Sequence, residues 1–167
     1  YKMILQKATQ NKSDTIIVSF AGHGLQYGGV PRIEFASFLD KHFNNVDRLF
    51  LVDTKLRCYH QGIDGISTNV EETIKYIKTV TKNYTNVIFL GASAGGYASI
   101  LFGSLLNVSS VIAFIPQTRL KANVFDDKYK DLKNFINDKT LYYLYGDLSV
   151  DDNRHMHHIS HCEYLQA

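Results

Sequence analysis

Residues 86–103, NVIFLGASAGGYASILFG, pass from an apolar run through a G-x-S-x-G pentapeptide into a small-residue segment whose apolar positions fall at helical spacing. The pattern predicts a strand, a tight turn and a helix in direct succession. The chain can reverse this sharply only because Gly91 and Gly95 carry no side chains, and the turn lifts Ser93 to its apex, where a base can reach the hydroxyl. The helix begins beneath the serine, so its free N–H groups and the positive end of its dipole face any oxyanion formed there. The alternative is a glycine-rich strand-to-helix turn in a doubly wound sheet, with Ser93 as a helix cap.

A chain of 167 residues, 45% apolar and 20% charged with two prolines, can bury a full core, and a single domain over 1–167 is expected. The net charge is +2 with acids and bases interspersed, which argues against nucleic acid as a partner and against selection of substrate by bulk charge. Cys58 and Cys162 are far apart and form no Cys-x-x-Cys pair, so neither a disulfide framework nor a zinc ribbon is indicated; reduced thiols and a cytoplasmic location are expected. No apolar run reaches the roughly 18 to 20 residues of a membrane span, the N-terminus has no signal-peptide pattern, and no cofactor is implied. The start at Tyr1, without an initiator methionine, fits a processed product or a domain of something longer.

Residues 2–8 and 15–20 are β-rich runs around a polar segment and read as an antiparallel hairpin. The continuous Ile16-Ile17-Val18 run suits a strand buried on both faces. It leads into Ala21-Gly22-His23-Gly24, a loop whose backbone N–H groups can point into a site without side chains in the way. His23 either touches substrate or orients a loop carbonyl. Residues 31–43 read as a helix and 49–52 as a buried strand. The aperiodic segment 56–67, with Tyr59 and His60, reads as substrate rim at the carboxyl edge of the sheet, with a plain surface loop as the alternative. Thr68-x-x-Glu71 reads as a capping box opening a helix with Val70, Ile74, Ile77 and Val80 on one face. Residues 108–115 read as a strand, 131–137 as a helix and 141–145 as a last strand. This order implies an α/β fold, a three-layer α/β/α sandwich around a mostly parallel sheet.

A serine needs a base, and a histidine held by a carboxylate serves best near neutral pH. Directly after the last strand, residues 146–162 hold three carboxylates and four histidines. The order of preference for the acid is Asp151, Asp152, then Asp147; the alternative is that Asp151 and Asp152 cap a following helix. His155, His158 and His161 are spaced at i, i+3, i+6, and His157 and His161 at i, i+4, so on a helix several would share a face. A zinc site, a plain histidine-rich surface helix, and an ordering role for His155 in the acid loop all remain open.

With these residues in view, the chain resembles the α/β-hydrolase superfamily, through its Ala21-Gly22-His23-Gly24 loop, its Gly91 to Gly95 turn and the acid after the next-but-one strand. Within it, the chain looks most like small bacterial proteins of surface-polysaccharide biosynthesis, including capsule O-acetyltransferases, through Leu51-Val52-Asp53-Thr54-Lys55, the turn, and Asp151-Asp152-x-x-His155. The resemblance implies a serine esterase or O-acyltransferase acting on a small-molecule or carbohydrate acyl group. Ser93 is then the nucleophile, Ala94 and a residue of Ala21-Gly22 give oxyanion N–H groups, and Asp151 or Asp152 is the acid. In that superfamily the catalytic histidine follows one further strand, whereas this chain ends in helical sequence. Three readings follow: the last strand and its histidine lie beyond Ala167, which is favoured; His158 or His161 stands in; or the fold serves as a non-catalytic binding or assembly module.

Overall fold

The computed structural model describes residues 3–8, 12–24, 33–149 and 155–166 in full, and 26–27 and 30–31 as backbone. Six strands, β1 (Met3–Gln6), β2 (Thr15–Phe20), β5 (Asp47–Leu51), β6 (Asn86–Ala92), β7 (Ser110–Phe114) and β8 (Leu141–Tyr145), form one open sheet in the order β1-β5-β2-β6-β7-β8. Every pairing is parallel except that of β1 with β5. A separate two-stranded ribbon joins β3 (Gln26–Tyr27) to β4 (Val30–Pro31). The helices are α1 (Ala36–His42), α2 (Val70–Thr81), α3 (Ala94–Leu106) and α4 (Ser160–Gln166).

Side-chain alternation along the strands divides the core between two faces. Ile16, Val18, Phe20, Leu49, Leu51, Phe89 and Val111 pack under α2 and α3, while Ile17, Phe50 and Leu90 pack with Leu39 of α1. This is the expected three-layer sandwich. Helix α3 is buried from Ala94 through Ser104, which is why its sequence is apolar or small all round rather than striped.

Four sequence expectations need correction. The first strand does not form a hairpin with the second: β2 already has β5 and β6 on its two sides, so β1 joins the outer edge of β5, where its alternating exposure fits an edge strand. The capping box sits one residue later, with Asn69 Oδ1 accepting from the Glu72 N–H at 2.8 Å and Glu72 Oε2 accepting from the Thr68 N–H at 2.7 Å. Residues 131–137 hold only a single 3-10 turn, Leu132–Asn134: Asp131 is bridged to Arg119 and the Leu132 N–H donates to the Thr118 carbonyl at 3.0 Å, so the start of the segment is tied to a neighbouring strand-like stretch. Finally, α4 begins at Ser160, so His155, His157 and His158 lie on turns and share no helical face with His161.

The chain runs from β2 to β5 on one side and then crosses to β6 on the other. Ligands of open α/β sheets bind at the carboxyl ends of strands where the winding direction reverses. Here the loop after β2 and the turn after β6 leave neighbouring strand ends, with Phe20 paired to Gly91.

Candidate active site

Strand β6 ends at Ala92 and α3 begins at Ala94, leaving Ser93 alone between them with φ 53° and ψ −117°. A positive φ is costly for a residue with a Cβ and persists only where its surroundings fix it. They do so here: the Ser93 N–H donates to the Phe114 carbonyl at 3.0 Å, and the Ser93 carbonyl accepts from the Tyr97 N–H at 2.9 Å. The close approach beneath is equally specific, since a Cβ on Gly95 would lie 2.1 Å from the Phe20 carbonyl oxygen. Ser93 is half-buried, with its hydroxyl free to meet a side chain from another element.

That side chain is His157, whose Nε2 lies 3.0 Å from Ser93 Oγ. It reaches the serine through backbone pairing after β8. Asp147 N–H donates to the His157 carbonyl at 3.0 Å and the Asp147 carbonyl accepts from the Ile159 N–H at 3.1 Å, a short parallel bridge that pins residues 157–159 to the strand end. Gly146 makes this possible, because a Cβ there would sit 2.4 Å from Ile159 Cα. Partial burial first, and the neighbouring His155 next, hold the His157 imidazole below its ordinary value of 6.5, against an opposing pull from Asp147. At neutral pH the ring is therefore uncharged and able to accept the serine proton.

The other histidines bond elsewhere. His161 Nδ1 lies 3.0 Å from Thr118 Oγ1, His155 Nδ1 accepts from the His157 N–H at 3.3 Å, and His158 Nδ1 accepts from the Ser160 N–H at 3.1 Å. None of His155, His158 and His161, the histidines that the sequence offers for the acid loop or as a stand-in base, is bonded to Ser93. His157 had been noticed only as a member of the cluster. Its signal was not helical spacing but proximity to a glycine-ended strand that could turn the chain back. Asp151 and Asp152 lie outside the described residues. Asp147 accepts from the Ser149 N–H and hydroxyl at 2.8 and 2.7 Å, which hold its carboxyl below the usual carboxylate range, and it acts on His157 through its charge.

The expected oxyanion groups divide. Ala21 N–H is taken by the Leu51 carbonyl at 3.0 Å, continuing the sheet, so it cannot serve. Gly22 N–H points out of the sheet and donates to Glu34 Oε2 at 2.7 Å, so a carboxylate holds this donor. Ala94 opens α3, where the first N–H groups of a helix lack intrahelical partners. Glu34 had not been singled out, and nothing near it in sequence marks it.

Tyr59 and His60 are not on a rim; both are buried pillars. Asp53 accepts from the Lys55, Arg57 and Tyr59 N–H groups, folding this segment inward with φ 64° at Tyr59. Tyr59 is fully buried, and its single hydroxyl proton is shared between the Ala21 and Leu51 carbonyls, both at 2.9 Å, supporting the Gly22 loop from below. His60 Nδ1 accepts from the Asp126 N–H at 2.9 Å and its Nε2 lies 2.8 Å from the Tyr97 hydroxyl, which itself donates to the Tyr129 carbonyl. His60 is therefore neutral with its proton on Nε2, and burial lowers its pKa further. His23 is exposed, with Nε2 3.8 Å from Cys58 Sγ. That pair is no second nucleophile, because burial, then the Asp53 charge, push the Cys58 thiol up to about 12.

A serine hydroxyl on a strained turn, hydrogen-bonded to a neutral imidazole above a helix start, is an arrangement suited to acyl transfer. No family model and no curated protein matches the chain. Among solved structures it is similar to the capsule O-acetyltransferase of Neisseria meningitidis serogroup A, at 16% identity and a TM-score of 0.66 over 98% of this chain and 75% of that one. A mutant of that enzyme in complex with CoA gives 0.67 over 98% and 76%. The chain has the α/β-hydrolase fold. It is also similar to a Staphylococcus aureus protein of unknown function, at 19% identity and a TM-score of 0.50 over 72% of this chain, and spans 43% of that protein's length. Among the described residues, no helix is long and apolar enough to cross a membrane.

Proposed function

We propose that the protein is a serine-dependent esterase or O-acyltransferase. The observation that carries this reading is the 3.0 Å contact between Ser93 Oγ and His157 Nε2 at a residue held at φ 53°. Ser93 Oγ attacks an acyl carbonyl as its proton passes to His157 Nε2. The tetrahedral oxyanion is met by the Ala94 N–H, and by the Gly22 N–H once the substrate has displaced the Glu34 carboxylate. Collapse breaks the bond to the leaving group, which takes the proton from His157. An acceptor hydroxyl, from water or a sugar, then gives its proton to the same nitrogen, takes the acyl group and restores Ser93. Asp151 or Asp152 is the proposed acid that orients His157, with Asp147 adding favourable charge.

Transfer to a carbohydrate, within one domain and as part of surface-polysaccharide biosynthesis, is the finer proposal. Two points support it: the named capsule enzyme shares the fold, and Phe114 and Tyr145 stack at 5.0 Å beside the turn, with Phe35 5.9 Å from Phe114. Flat aromatic walls with a few polar groups are usual in sites for small organic molecules. The non-catalytic reading was motivated by the want of a histidine, a role His157 can fill. The test is mass-spectrometric mapping after a brief reaction with p-nitrophenyl acetate. An acetyl group on Ser93, absent from Ser93→Ala, is expected; a folded protein acetylated elsewhere or nowhere would contradict the proposal.

A further inference from the structure

A cavity of about 720 Å3 opens beside the histidine loop, lined by Gln117, Arg119, Lys121, Phe125, His155 and His161 among others. Small-molecule sites run from roughly 300 to 1,000 Å3, so this one can hold more than a simple acyl group. It lies next to the residues that carry the reacting centre. His155 and Met156, which lead into His157, form one wall, and Gln117, three residues beyond the Phe114 carbonyl that holds Ser93, forms another and bonds Met156 at 3.1 Å.

Among the described residues that line it, the formal charge is one-sided. None of its described lining residues is acidic, and neither Arg119 nor Lys121 forms an ion pair with a described carboxylate. The Arg119 guanidinium lies 4.3 Å over the Tyr164 ring, and Tyr164 is held by its hydroxyl bond to Asp131 at 2.7 Å. This cation–π contact tethers the guanidinium without using up its N–H donors, none of which is paired with a described carboxylate. His161 records the field: burial, then Arg119, His157, His158 and Lys121 all push its pKa down. A planar fork beside a mobile ammonium, with a side-chain amide nearby, suits the several oxygens of a phosphate better than a single carboxylate. Phe125 and Leu120 offer an apolar wall to whatever carries it.

We propose that this cavity binds the phosphate-bearing part of the acyl donor or acceptor, gripped by Arg119 and Lys121, so that the reacting group reaches Ser93 past His157. The inference deepens the Ser93–His157 reading and rests on it. Two sources share this chemistry, a nucleotide-like thioester carrier and a phosphorylated sugar. The test is calorimetric titration of Ser93→Ala protein with coenzyme A and, separately, with glucose 1-phosphate. At least one is expected to bind with a millimolar or tighter Kd, weakened about tenfold by the added pair Arg119→Gln and Lys121→Gln and unchanged by Lys82→Gln on the far end of α2. Coenzyme A alone identifies a donor site, and glucose 1-phosphate alone an acceptor site. Should the double variant fail to melt cooperatively, each single variant is expected to weaken binding about threefold. The proposal is overturned if neither ligand binds at about 10 mM, or if the double variant, or each single variant where the double does not fold, weakens binding less than twofold. Because Ser93 is absent from these proteins, the result is independent of whether Ser93 is acylated, which the mapping above decides.

Discussion

Ser93 and His157 meet across 64 residues of sequence, yet the two sides of that contact are held in different ways. Ser93 is fixed from beneath and within, by backbone packed so closely that one added methyl group would strike the Phe20 carbonyl. His157 is held by its own loop, through one backbone bond to Asp147, a second from Ile159 to the same residue, and its N–H bond to His155, on a segment after the outermost strand. The first is a rigid part of the sheet, and the second is an adjustable arm resting on it. Catalysis of the proposed kind needs both, since a nucleophile on a stiff turn loses little geometry and a base on a loop can follow the proton from serine to leaving group.

Equivalent glycine substitutions on the two sides should separate them. Gly95→Ala overlaps backbone that cannot move without parting α3 from β2, and should cost about 4 kcal/mol or more, read as loss of soluble, cooperatively melting protein. Gly146→Ala presses on a loop that can shift, and should leave a folded protein whose acylation at Ser93 is roughly 100-fold slower. Between them in effect on the reaction lies the base itself. His157→Gln should slow acylation by roughly 1,000-fold, whereas His155→Gln and His161→Gln, whose rings bond elsewhere, should each lose less than about tenfold.

Glu34 offers a gentler probe. Glu34→Ala frees the Gly22 N–H and should speed acylation by about fivefold, the worth of one half-exposed bond to a carboxylate, where a structural role for Glu34 would predict a loss. The smallest effect is on stability against pH. His60 and His157 both sit below 6.5 in the folded chain, so the unfolded chain binds more protons as the solution is acidified. Their contribution is complete above pH 6.5 and is lost below it. Urea unfolding should show stability falling from pH 7 to pH 5, and falling less steeply in His60→Phe.

Much of the turn after β6 could be read from sequence because its determinants are local. Two glycines, a serine between them, an apolar run before and small residues after leave one conformation open, and the parallel order of β2, β5, β6, β7 and β8 follows from the alternation of strand and helix signals. The histidine loop was misread because its cause is not local. Spacing suggested a helix through His155, His157, His158 and His161, but Asp147 pairs its backbone with residues 157 and 159 and delays the helix to Ser160. Tyr59 and His60 read as rim residues for the same reason: no pattern in 56–67 reveals that the Asp53 carboxylate draws in the N–H groups of the alternate residues Lys55, Arg57 and Tyr59. Glu34 was invisible, since only the folded chain brings it to Gly22.

In the proposed reaction His157, uncharged at neutral pH, activates Ser93. The most direct measurement is the rate at which a fluorophosphonate labels Ser93 as a function of pH, in the native protein and in His157→Gln. A rate that rises with a midpoint below 6.5 and then levels, and that becomes slow without that rise in the variant, is the predicted result. Labelling of Ser93 at equal rates in both proteins, or none in the folded native protein, would contradict it.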